Sequence, residues 1–198
     1  MSETRITVGS DEVGWGSVAG PLYVVGVAAP SDWCFRGLRD SKRYAHGKAG
    51  RAEREALFGP LIDELRGCWA LSICPPEQID QLGAQRCLIE AHTAVLQQLI
   101  AKVPSHLLDR IIVDGSLRLP KVPGAVAIPK ADLNFQVVSA ASVIAKVLHD
   151  DALVALARTY PQYGFDEHVG YGTPAHMKMI KKYGLCQAHR RSYLKGMI

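Results

Sequence analysis

Apolar residues fall in short β-branched runs at the start of the chain and in helical spacings further along. Arg5–Asp11 (RITVGSD) and Pro21–Pro30 (PLYVVGVAAP) are rich in Val, Ile and Tyr, with a glycine-rich turn between them. They predict two successive antiparallel strands. Ala52, Ala56, Leu57, Leu61, Ile62 and Leu65 recur near helical spacing, which predicts an amphipathic helix over Gly50–Leu65. Trp69–Cys74 predicts a strand stopped by Pro75-Pro76, and Glu77 opens a helical region broken at Gly83 and running to about Val103. Arg110–Asp114 (RIIVD) has the form of a buried strand, and Ala125–Ile128 that of another. Asn134–Tyr160 has helical periodicity, and a last helix near Pro174–Tyr183 precedes an irregular tail.

Strands first, then helix and strand in alternation, predict an α/β protein with a mixed sheet covered by helices. The position of acidic residues changes what that sheet is expected to do. Asp11-Glu12 ends an apolar strand where small loop residues are usual, and Asp114 ends the Ile-Ile-Val strand. If those strands lie parallel and adjacent, their carboxylates emerge at one sheet edge, where open α/β sheets place ligands. Asp132 stands just before the long helix. Taken singly, Asp114-Gly115 is also an ordinary turn signal, and Asp132 also suits a helix start. Brought together, four carboxylates raise one another's pKa and call for a cation. An all-oxygen set suits Mg²⁺ or Mn²⁺, and two such ions can clamp a scissile phosphate.

Glycines 9, 14 and 16 do not have dinucleotide-binding spacing, and Asp11 and Glu12 would repel a pyrophosphate docked there. No Gly-Lys-Ser/Thr follows, so a P-loop is excluded as well. The glycines let the backbone approach a ligand beside the acids.

At 198 residues the chain is long enough for one core with a small C-terminal addition. No apolar run approaches the ~20 residues of a membrane span. The opening Met1–Arg5 contains Glu3 and leads straight into a strand, unlike a signal peptide. The five scattered cysteines form no Cys-x-x-Cys pair, so zinc-finger and thioredoxin readings fail, and reduced thiols in a cytoplasmic protein are expected. The net charge of +4 lies wholly in residues 163–198, where six Lys/Arg face Asp166 and Glu167. A neutral body with a basic tail suggests an anionic polymer gripped by the tail; a solvated basic helix face is the plain alternative.

Six motifs, in order and over nearly the whole chain, resemble ribonuclease HII. They are Gly9-Ser10-Asp11-Glu12-Val13-Gly14, Asp40-Ser41-Lys42, Ile112-Val113-Asp114-Gly115, Lys130-Ala131-Asp132, Ser139 through Lys146, and Tyr163-Gly164-Phe165 through His189-Arg190-Arg191-Ser192-Tyr193. The resemblance implies a ribonuclease H-like fold with a five-stranded mixed sheet over residues 1–162. Residues 163–198 would be a small, helical, basic substrate-binding extension. It implies cutting of the RNA strand in RNA–DNA hybrids and at ribonucleotides embedded in duplex DNA, leaving 3′-hydroxyl and 5′-phosphate ends. No membrane and no protein partner are implied, and a monomer is expected.

The family's four acidic metal ligands fall on Asp11, Glu12, Asp114 and Asp132. Lys42 and Lys146 become phosphate or active-site cations, with Ser139 and Ser142 as polar neighbours. Tyr171 matches the tyrosine that stacks on the sugar at the DNA–RNA junction, a contact that reads no sequence. His168, His176 and His189 read as tail structure or phosphate contacts. The departure is Gly14-Trp15-Gly16, where the family usually has Gly-Arg-Gly to sense the ribose 2′-hydroxyl. Backbone amides of Gly14 and Gly16 could still reach that hydroxyl, but an indole offers one N–H and no charge. The opening also looks like ribonuclease HIII, so weaker action on single ribonucleotides is an alternative, as is a hybrid-binding protein with altered catalysis. Another ribonuclease H-fold phosphodiesterase, such as a resolvase, is the rival among enzymes. A second departure is His149, where the family often has arginine.

Overall fold

The computed structural model describes residues 3–38 and 47–197. Strand β1 spans Ile6–Val13 and β2 Leu22–Pro30. Helix α1 (Gly47–Glu64) leads to β3 (Trp69–Cys74), then α2 (Pro76–Leu82) and α3 (Ala84–Ile100). Strands β4 (Leu108–Asp114) and β5 (Ala125–Ile128) precede the long α4 (Gln136–Thr159). Two short helices, α5 (Phe165–His168) and α6 (Pro174–Tyr183), follow.

The sheet order is β3-β2-β1-β4-β5. β2 pairs antiparallel with both β1 and β3, whereas β4 lies parallel to both β1 and β5. The expected mixed five-stranded sheet is therefore observed, with β1 at its centre. Ser10 registers with Val113 across the parallel pair, so Asp11 and Asp114 leave the sheet at the same edge. One boundary differs from expectation. β1 does not stop at Asp11 but continues to Val13, because Asp11 and Glu12 still pair with Val25 and Val24 of β2.

Each face of the sheet has its own core. α3 covers one face through Leu88, Ala91, Val95, Leu96 and Leu99, packed on Val8, Val24, Ile111 and Val113. α4 and α1 cover the other, where Val138, Ala141, Ile144 and Leu61 meet Val25, Val27 and Ile112. Gly9 makes the α4 contact possible: a Cβ there would sit 2.7 Å from Val137 Cγ2 and 2.8 Å from Val138 Cγ2. That close approach carries the first turns of α4 up to the acid pair.

A third cluster forms around Phe165, Tyr163, Ile180 and Leu194, packed on Leu153 of α4 and on Ala19. Backbone bonds tie it to the loop after β1: Val18 and Ala19 N–H donate to Gly170 O, and Arg190 N–H donates to Val18 O. No helix among the described residues is long and apolar enough to cross a membrane.

Candidate active site

Asp11, Glu12, Asp114 and Asp132 line one open cleft of about 360 Å³, together with Gly14, Trp15, Gly16, Arg54, Ser142, Lys146 and Tyr171. Successive residues of a strand point to opposite faces, so Asp11 and Glu12 approach the cleft from different sides. Asp11 faces α4, where it bonds the Ser142 side chain, and burial together with Glu12 and Asp114 pushes its pKa well up. Glu12 faces α3. Its Oε2 lies 3.2 Å from Nε2 of His92, a fully buried α3 residue whose Nδ1 is 2.9 Å from Ser10 Oγ.

Asp114 is held in place by the backbone beside Asp132. The Ala131 N–H donates to Asp114 Oδ1 at 2.6 Å, which stitches the end of β4 to the short 3₁₀ turn Ala131–Leu133. Lys130 enters that turn in a left-handed conformation, φ 60°, uncommon for a residue with a side chain. Burial, with Asp132 and Glu12 adding repulsion, raises the Asp114 pKa despite the Ala131 bond.

Four hard oxygen donors with repulsion among them are the donor set that a divalent cation satisfies. No three His, Cys, Asp or Glu among the described residues already surround one point as a closed cage. Mg²⁺ needs none, since it keeps most of its waters and takes one or two carboxylates plus substrate phosphate. The residues present fit such an ion.

Cations line the cleft from α1 and α4, gathered by one buried acid. Asp150 Oδ1 accepts from Lys146 Nζ at 2.7 Å and lies 3.3 Å from His149 Nδ1, while Arg54 Nη2 is 3.9 Å from Oδ2. Burial alone would raise the Asp150 pKa, but His149 and Lys146 outweigh it and hold it below the usual carboxylate range. Nothing in the sequence singles out Arg54 or Asp150, whose helical spacing to polar positions does not separate them from surface charges. Ser139 lies buried near the start of α4, outside the cleft lining, whereas Ser142 is in it. Lys42 lies outside the described residues.

The Gly14–Gly16 loop is fixed from beneath. Gly14 has φ +92°, and a Cβ there would meet His149 Nε2 at 2.8 Å and Pro21 O at 2.9 Å. Trp15 stands 40% exposed at the cleft's lip while its carbonyl accepts from Arg190 Nη1 (3.1 Å) and Tyr193 OH (3.0 Å). Arg190 also donates from Nε to Gly20 O. It is fully buried, so this residue of the basic tail cannot grip a polymer; Lys178, Lys181, Lys182, Arg191 and Lys195 remain at the surface.

Tyr171 presents an exposed ring beside Gly16. Its carbonyl ends a chain of neutral donors. The Cys186 N–H donates to His189 Nδ1 (3.0 Å), so the neutral His189 ring carries its proton on Nε2. That proton faces His176 Nε2 at 3.1 Å, which leaves His176 Nδ1–H to donate to Tyr171 O at 2.8 Å. Burial lowers both imidazole pKa values to about 4. His176 and His189 are buried, so of the two roles expected for them only tail structure is open to them.

The sheet order, the parallel β1–β4 pair and the acids at its edge define a ribonuclease H-like protein. A ribonuclease H2 from Pyrococcus horikoshii OT3 superposes with a TM-score of 0.72 at 25% identity, covering 95% of this chain and 93% of that one. A Bst-RNase HIII in complex with Mn²⁺ shares the fold at TM-score 0.71 and 17% identity, over 97% of this chain and 70% of that one. The family pattern of Ribonuclease HII matches residues 8–195. Ribonuclease HII of Cupriavidus necator is 39% identical over 188 residues, 93% of this chain and 74% of that protein. The chain belongs to the ribonuclease HII family, and is an endoribonuclease of RNA–DNA hybrids.

Proposed function

We propose that Asp11, Glu12, Asp114 and Asp132 hold the divalent cations, Mg²⁺ or Mn²⁺, of an enzyme that cuts on the 5′ side of a ribonucleotide. The ribonucleotide lies in an RNA–DNA hybrid or is embedded in duplex DNA, and the ends are 3′-hydroxyl and 5′-phosphate. The observation that carries this reading is the meeting of all four carboxylates in one cleft with Lys146, Arg54 and Tyr171 on its rim. Cations bound there supply an acidified water and neutralise charge on the reacting phosphate.

The remaining work belongs to the chain. Lys146 and Arg54, steadied by Asp150, offer positive charge to a backbone phosphate. The Tyr171 ring, with its carbonyl anchored by His176, offers a flat apolar face to a sugar. Amides at Gly14 and Gly16 are close enough to the acids to meet a 2′-hydroxyl, the group that separates RNA from DNA. Lys42 completes the proposed contacts, with Ser139 supporting them from α4. Residues 163–198 form the substrate-binding extension, through surface lysines and Arg191. The test is cleavage of a DNA duplex holding one ribonucleotide, by wild type and Asp11→Asn, with and without metal. Metal-dependent cutting by the wild type alone is expected; cutting that ignores both changes overturns the proposal.

A further inference from the structure

Glu12 differs from the other three acids in what holds it. It leaves β1 on the α3 side, in a cleft lined also by Leu88 and Ile89 of α3. Its side chain is 24% exposed, long, and among the described residues without a backbone donor like the one that fixes Asp114. Left alone it would spread over several rotamers at the cleft's edge. His92 meets it there. The helix face around His92 is built of Leu88, Ala91, Val95 and Leu96, where packing alone would favour another apolar residue. A fully buried imidazole at that place requires polar partners, and it has two: Ser10 Oγ and Glu12 Oε2. An ionised carboxylate can only accept, so Nε2 carries the proton and donates to Oε2. In the neutral ring, Nδ1 then accepts from the Ser10 hydroxyl.

We propose that His92 is a positioning residue for metal binding: anchored by Ser10, it engages Oε2 of Glu12 and presents Oε1 to the cation. This rests on the reading that Glu12 is a metal ligand. A ligand's hydrogen-bond partner commonly changes metal affinity by about 10- to 100-fold when removed. Ser10 and Glu12 lie on one face of β1, two residues apart, so strand and helix together set the ring's plane and the carboxylate's direction.

The experiment is Mn²⁺ titration by calorimetry on the whole chain without nucleic acid. Glu12→Gln tests the ligand reading itself. The pair His92→Leu with Ser10→Ala removes the donor without leaving a buried hydroxyl unpaired, and is expected to weaken Mn²⁺ binding by about 10- to 100-fold. His92→Gln, which keeps an N–H near the position of Nε2, restores most of that affinity. Adding Glu12→Gln to the apolar pair brings no further loss beyond Glu12→Gln alone. Wild-type affinity in the folded apolar pair, or equal loss in His92→Gln, overturns the role of His92. If the apolar pair does not fold, Ser10→Ala carries the test: weaker binding supports the role, and wild-type affinity overturns it. If Glu12→Gln binds Mn²⁺ like wild type, the ligand assignment fails and the inference falls with it. Loss in Glu12→Gln with no effect of the His92 and Ser10 changes sinks the inference alone.

Discussion

In the cleft, Asp11 is buried beside Glu12 and Asp114, and each added carboxylate makes the next harder to ionise. Around Tyr163, by contrast, His176 and His189 are just as buried, yet every proton between Cys186 and Tyr171 has a donor and an acceptor. The first region, by its chemistry, calls for a cation. The chain of donors from Cys186 to Tyr171 is complete without one. The difference is one of chemistry: imidazole is neutral near pH 7 and carries both a donor and an acceptor, so burial can finish its network. A carboxylate only accepts, so burying several together leaves work for an ion.

Asp11→Asn is the sharpest way to break this contrast. It is expected to reduce cleavage by about a thousandfold or more, several kcal/mol of lost charge stabilisation. The same change should raise the melting temperature of the metal-free protein, because it removes the buried carboxylate that Glu12 and Asp114 oppose. Thermal melting in chelator checks the second half; a lower melting temperature would contradict it.

His176→Ala attacks the completed region and should do the reverse. It opens a cavity beside Phe165 and frees the Tyr171 carbonyl, at a cost of about 3 kcal/mol in urea unfolding. Acid provides a gentler version. Because the folded pKa of His176 and His189 is about 4 against 6.5 in the unfolded chain, the unfolded state takes up more protons between those values. Their contribution is complete above about pH 6.5 and is lost as pH falls toward 4, on the order of 3 kcal/mol for each ring taken alone. Urea midpoints across that range should fall with pH, and less so in His176→Gln/His189→Gln.

Trp15→Arg probes the seam between the regions, since the Trp15 carbonyl is held by Arg190 and Tyr193 while its side chain is at the cleft. It should alter cutting at a lone ribonucleotide more than cutting of a long hybrid, by about tenfold in the ratio, one charge-assisted contact's worth. Equal change on both substrates would remove Trp15 from substrate choice.

The two regions were also unequally legible in the sequence. Short apolar runs and the breaks after them located all five strands, and the two acidic strand ends needed only a parallel β1–β4 pairing to meet. Helix spacing found α1 but placed its start at Gly50, three residues late. His92 was hidden because its meaning depends on which face of β1 Glu12 leaves, a matter of one residue in register. Arg190 was counted with the surface charge, since a basic residue between His189 and Arg191 gives no sign of facing inward. Asp150 likewise looked like any helical acid until Lys146, His149 and Arg54 were seen around it.

Arg190 has one more consequence, and it concerns time. Its guanidinium supports the carbonyl of a residue 175 positions earlier in the chain. During synthesis β1 and β2 emerge early, but the loop between them waits for almost the whole protein before its support exists. Contacts so distant in sequence form late in folding. A ribosome-bound chain stalled before Arg190 should therefore carry all four acids and still lack an ordered Gly14–Gly16 loop. The acids arrive first, and the support of the Trp15 carbonyl beside them arrives last.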